Sequence, residues 1–97
     1  MVYNYSMMNM NSEQIKDKLV EWAYGQEFTA PYGILDGEHV DKKGKKYKSV
    51  TFGYARTLDA TVMIYNRNFM IYKSSRGDNA VYKSFDDLMK FLKAEFN

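Results

Sequence analysis

Residues 47–73, YKSVTFGYARTLDATVMIYNRNFMIYK, decide the fold. Val50, Phe52 and Tyr54 alternate with Thr51, Gly53 and Ala55, the period of two expected of a half-buried strand over roughly 48–55. Arg56-Thr57-Leu58-Asp59 supplies a turn, because Asp and Thr hydrogen-bond their own local backbone. Ala60 to Tyr65 is uncharged and rich in β-branched residues, which suits a central strand. Asn66-Arg67-Asn68 turns the chain again, and Phe69 to Lys73 forms a third strand. Two loop lengths fit that second turn. A two-residue loop at Arg67-Asn68 pairs Ile64 with Ile71. It sets Val62, Ile64, Phe69 and Ile71 on the core face and Met63, Tyr65, Met70 and Tyr72 on the other. A three-residue loop through Asn66 shifts the register by one and mixes the faces.

The flanking chain is arranged to cover this sheet. Asn11 or Ser12 caps a helix in which Ile15, Leu19, Trp22 and Ala23 form one apolar stripe, and Gly25 stops it. Glu13, Asp17 and Glu21 share another side of that helix and read as a solvated face. Ile34, Leu35 and Val40 suggest an edge strand or a loop crossing the sheet. DKKGKKYK, residues 41–48, is expected to be a hairpin loop, and SSRGDN, residues 74–79, a second one before a short strand at 80–83. The RGD triplet in the latter is read as turn chemistry. Ser84 and Asp87 form a capping box for a last helix, whose apolar face is Phe85, Leu88, Phe91, Leu92 and Phe96. Residues 1–10 hold four methionines without periodicity and are expected to be a flexible tail before a single domain at 11–97. The predicted architecture is a two-layer α+β sandwich: an N-terminal helix, a four- to five-stranded antiparallel sheet and a C-terminal helix.

Composition bounds the function. The chain has 97 residues, no cysteine, one histidine and a net charge of +2. Disulfide scaffolds, thiolate metal sites and cysteine nucleophiles are thereby excluded. No apolar run reaches the length of a membrane span, and MVYNYSMMNMNSEQ does not read as a signal peptide, so a cytoplasmic protein is expected. Asp36, Glu38, His39 and Asp41 make the densest polar cluster, but they match no metal-ligand spacing. No nucleophile, phosphate-loop or metalloprotease motif occurs. The expectation is a protein that is not an enzyme and carries no cofactor. Lys, Asn, Ile, Tyr, Met and Phe make up nearly half the chain, and most of their codons are A/T-rich. With the small size, this suggests a phage or mobile-element accessory factor that inhibits or modulates a host protein.

Two binding modes follow. Tyr, Met and Trp are enriched at interface cores. Protein binding is therefore assigned to the outer sheet face through Tyr54, Met63, Tyr65, Met70 and Tyr72, with a host protein, or a second copy meeting the sheet face or edge, as the partner. The alternative is nucleic acid, held by Lys42, Lys43, Lys45, Lys46 and Lys48 with Tyr47. It stands second because the last helix opens on Ser84-Phe85-Asp86-Asp87, which would repel phosphate, and because total charge is low.

Overall fold

A computed structural model describes residues 10–25, 34–52 and 60–95. Tyr54, Phe96, the turn expected at 56–59, residues 1–9 and residues 26–33 lie outside them. Helix α1 runs Ser12–Tyr24. Its start is fixed by a reciprocal cap: Asn11 Oδ1 accepts from the Gln14 N–H at 2.9 Å, and Gln14 Oε1 accepts from the Asn11 N–H at 3.0 Å. Ile15, Leu19 and Ala23 are buried, as the stripe requires. Gly25 caps the helix with right-handed φ/ψ, its N–H donating to the Trp22 carbonyl at 3.0 Å.

Five strands follow: β1 Ile34–Val40, β2 Lys46–Phe52, β3 Ala60–Asn66, β4 Phe69–Ser74 and β5 Asn79–Tyr82. They form one antiparallel sheet in the order β1-β2-β3-β4-β5. Helix α2, Phe85–Glu95, closes the described chain, and the Ser84 hydroxyl accepts from the Asp87 N–H at 3.1 Å to start it. This is the expected helix–sheet–helix order, with the upper of the two strand counts.

The register between β3 and β4 differs from the one on which the outer-face assignment rested. Asn66 pairs with Phe69, but one step inward Ile64 pairs with Met70 and Val62 with Tyr72, so Tyr65 is an extra residue in a bulge. The faces of β4 are thereby exchanged. Met70 and Tyr72, expected on the outer face, are completely buried with Val62 and Ile64, while Phe69 and Ile71 take their place outside. The Asn66 side-chain oxygen accepts from the Asn68 N–H at 2.8 Å, which closes the turn through a side chain, and the extra residue Tyr65 is taken up immediately before it. Both faces of these strands are apolar, so hydrophobic patterning imposes little penalty on either register.

The core lies between the helices and one sheet face. Ile15 and Leu19 of α1 and Leu88 and Leu92 of α2 pack with Val50, Ala60, Val62, Ile64, Met70 and Tyr72. Phe91 meets Tyr72 edge-on at 4.8 Å and lies 5.6 Å from Tyr82. Met10 is only 4% exposed and belongs to the same cluster, so the last residue assigned to a flexible tail is core. Methionine fits such an irregular margin because its unbranched chain adapts to the gap it fills.

The hairpin loops are built as turn chemistry. Gly77 takes a positive φ of 96°, and the Ser74 hydroxyl accepts from the Arg76 and Asp78 N–H groups. Arg76 reaches Glu95 of α2 at 2.8 Å, so the RGD triplet is tied to the end of that helix. Among the described residues, no helix is long and apolar enough to cross a membrane.

Candidate outer-face aromatic site

Both helices lie on the core side of the sheet, so no described helix covers the other side. Its side chains are fixed by strand alternation. His39 of β1 is the cross-strand partner of Tyr47 of β2, and their rings stack 5.4 Å apart at 23°. Tyr47 continues to Tyr65 of β3 at 4.9 Å, and Tyr65 to Phe69 of β4 at 5.3 Å. Four rings therefore form one row across four strands. Tyr47, Tyr65 and Phe69 are half-buried against one another and His39 is exposed. Burial raises the Tyr65 pKa above its ordinary value, with the negative charge of Asp41 and then Tyr47 adding to it. Its hydroxyl stays protonated at neutral pH, available to donate or accept. Behind the row lie Met63 and its cross-strand partner Ile71, and then Thr51 and Thr61, whose hydroxyls share a 3.0 Å hydrogen bond.

The row sits at one end of the sheet, the end that also carries the β1–β2 loop and the β3–β4 turn. The loop is rigidified by Asp41. One carboxylate oxygen accepts from the Lys43 and Lys45 N–H groups, both at 2.9 Å, and Gly44 supplies the positive φ of 83° that the turn needs. Lys42, Lys43, Lys45 and Lys46 are exposed, and so is Arg67 in the neighbouring turn. None of these five forms an ion pair with a described residue; the pairs present involve Lys16, Lys18, Lys48 and Arg76.

Lys48 departs from its assignment as a loop cation. It lies two residues into β2 and turns to the helix side, where its ammonium meets Glu13 of α1 at 2.9 Å and Glu38 of β1 at 3.4 Å. Lys16 joins Glu13 at 3.3 Å. The hydrogen bond from Lys48, and then that from Lys16, hold the Glu13 carboxyl below the usual carboxylate range. Glu13 in turn raises the Lys48 pKa. This network joins α1 to the first two strands and leaves Lys48 occupied. Glu13 is therefore part of a tertiary contact and not of a merely solvated face.

Of the residues assigned to protein binding, Met63 and Tyr65 reach the outer face, Met70 and Tyr72 are core, and Tyr54 lies outside the described residues. Of those assigned to nucleic acid, Tyr47 joins the ring row, the four lysines 42, 43, 45 and 46 are exposed, and Lys48 is engaged elsewhere. His39, Phe69 and Ile71 were missed. The hairpin length could have found His39: a loop at 41–45 pairs Val40 with Lys46 and hence His39 with Tyr47. The acidic cluster of β1 is split by the same alternation, with Glu38 toward the helices and His39 outward. No group of three or more His, Asp or Glu among the described residues is placed to hold a metal ion. A cleft of about 340 Å³ between Met10–Ser12 and Asn66–Asn68 offers no acid–base pair, and its Asn11 and Asn66 side chains already serve the helix cap and the turn. Comparison with protein-family models, curated proteins and solved structures finds no match for this chain.

Proposed function

We propose that the protein is a non-enzymatic binding module, an accessory factor of the phage or mobile-element kind, whose working surface is the outer face of the sheet. One observation carries this reading: the continuous ring row His39–Tyr47–Tyr65–Phe69 on a face that both helices leave alone. Folding needs apolar rings on the core side, where Tyr72 and Phe91 supply them. A second set on the opposite side adds little to that core, yet it is the residue type most often used to anchor a macromolecular partner. The Asp41 and Asn66 turns at the row's end fix the hairpins that carry it, which lowers the ordering cost of binding. A sheet face favours a large partner over a small molecule, which needs concavity.

The test is capture from bacterial lysate by the immobilised wild type, by Tyr65→Ala and by Tyr24→Ala. Tyr24 is the control because it is 68% exposed on the helix layer, remote from the row. Tyr65→Ala should lose the retained macromolecule, and Tyr24→Ala should keep it. Equal capture by all three proteins, each with the circular dichroism of the wild type, would remove the outer face from the function.

A further inference from the structure

The outer face differs from the helix layer in charge as well as in chemistry. The described carboxylates lie elsewhere or are already engaged. Glu13, Asp17 and Glu21 are on α1, Asp86, Asp87 and Glu95 on α2, and Asp78 in the loop at the opposite end of β4. Glu38 is bound to Lys48, and Asp41 accepts from its own loop backbone. Strand alternation puts no acidic residue among the described outward positions, while Lys73 of β4 does face outward. A net charge of only +2 therefore conceals a partition, with a turn end where Lys42, Lys43, Lys45, Lys46 and Arg67 outweigh Asp41 set against helices whose six acids outnumber their four lysines. The acidic opening of the last helix, which ranked nucleic acid second on sequence grounds, is on the core side of the sheet and away from this surface.

We infer that the ligand of the outer face is single-stranded nucleic acid, its bases stacked on Tyr47, Tyr65 and Phe69 and its phosphates held by Lys42, Lys43, Lys45, Arg67 and Lys73. This rests on the outer face being the working surface. The ligand must present planar apolar groups and regularly spaced negative charge together, because the rings and four of these cations, none ion-paired with a described residue, occupy one end of the sheet, with Lys73 further along the same face at its other end. Single strands do so at every nucleotide, and stacking on tyrosine or phenylalanine is tolerant of sequence. A duplex hides its base planes, so the row would have nothing to stack on. An acidic protein surface would satisfy the cations but offers no such repeat of flat faces.

Fluorescence anisotropy with a labelled oligothymidine of about 20 nucleotides, long enough for any site of this size, tests the inference. With five phosphate contacts on a single strand, affinity should fall about 100-fold between 50 and 200 mM salt. Lys42→Ser/Lys43→Ser/Lys45→Ser should bind more weakly, and its remaining salt effect over that range should shrink to about 7-fold. Tyr47→Ala and Tyr65→Ala should each bind about 5- to 150-fold more weakly with the wild-type salt slope, and Tyr47→Phe should recover binding. Thermal melts establish that each variant is folded. Equal affinity for duplex of the same length, or indifference to both tyrosine variants, would overturn the inference. So would no oligonucleotide binding alongside nuclease-resistant, Tyr65-dependent capture of a protein, which leaves the outer face as the working surface with a different partner. Absence of both kinds of binding would sink the two readings together.

Discussion

Replacing Tyr72 by phenylalanine should make the protein more stable, although it deletes a polar group from the most buried ring in the sheet. The side chain is 0% exposed and packs edge-on against Phe91, and its hydroxyl oxygen has no hydrogen-bond partner among the described residues. A buried hydroxyl that has left water without a partner costs about 1–3 kcal/mol. Phenylalanine removes that cost and keeps the ring contact. The space vacated is smaller than a methyl group, and at about 24 cal/mol per Å³ it gives back only a few tenths of a kcal/mol. The net gain is about 1–2 kcal/mol, or about 4–8 °C in Tm for each kcal/mol in a domain of this size. The hydroxyl also has a pH signature. Burial, and secondarily the charge of Glu95, raise the Tyr72 pKa against smaller opposing effects of Arg76 and the nearby Ser74 hydroxyl, which is not within bonding geometry, so the folded state favours the protonated phenol. The stability linked to that proton is complete below the unfolded value of about 10 and declines as pH rises through the higher folded value. Tyr65 and Tyr82 are raised by burial too, so the variant should soften the alkaline decline without removing it. Urea titrations at neutral pH and at about pH 10.5 measure both effects. A Tyr72→Phe protein less stable than wild type by more than about 0.5 kcal/mol would refute the reasoning, because the hydroxyl would then have to be making a favourable bond.

Met70→Lys and Ile71→Lys test the sheet register. Met70→Lys places an unpaired charge beneath the helices and should cost several kcal/mol, enough to unfold much of the population, whereas Ile71→Lys on the outer face should stay within about 1 kcal/mol of wild type. The opposite order in urea midpoints would mean that the other register is populated. Glu13→Gln tests the bridge between α1 and the sheet. Because the folded-state pKa of Glu13 is lowered, its contribution is present above the unfolded carboxylate value of about 4.3 and disappears as pH falls through the folded value. The variant should show a flatter acid limb when the urea midpoint is followed from neutral pH to about pH 2. An acid limb identical to wild type would show that the Lys48–Glu13 contact contributes nothing to folding.

Elements were legible in the sequence wherever the signal was local. The Asn11–Gln14 and Ser84–Asp87 spacings announce the two helix starts, and the stripes Ile15/Leu19/Ala23 and Leu88/Leu92 name their buried faces, because capping and helical period depend only on near neighbours. Alternation at Val50–Phe52, and the uncharged, β-branched run at Ala60–Tyr65, likewise locate strands. What a strand faces is a different matter. Val62, Met63, Ile64 and Tyr65 are all apolar, so period-two reading finds two candidate cores, and the bulge at Tyr65 that separates them leaves no mark in the pattern. Lys48 was illegible for a related reason. In sequence it ends a lysine run, and its removal from the solvent depends on Glu13, 35 positions away and on another element. Met10 has no periodic partner at all, and its burial follows from where α1 lands on the sheet.

The same turn that settles the core also builds the site. With a two-residue connection at Arg67-Asn68 and no bulge, Met70 and Tyr72 would face outward, and Phe69 would be turned to the core side, away from Tyr65. The ring row would then end at β3, and the aromatic weight of the outer face would shift toward Lys73, away from the lysine loop. The bulge at Tyr65 keeps Phe69 within 5.3 Å of that ring and on its side of the sheet. It thereby gathers the rings at the end where Arg67 and the Asp41-braced lysines stand. Fold stability alone does not require this, since Phe69 and Ile71 could fill a core about as well as Met70 and Tyr72. The selected register also leaves the Tyr72 hydroxyl buried without a partner among the described residues. A register that accepts that penalty, and in return brings four rings to the end of the sheet where Arg67 and the loop lysines stand, is what a binding surface at that end would require.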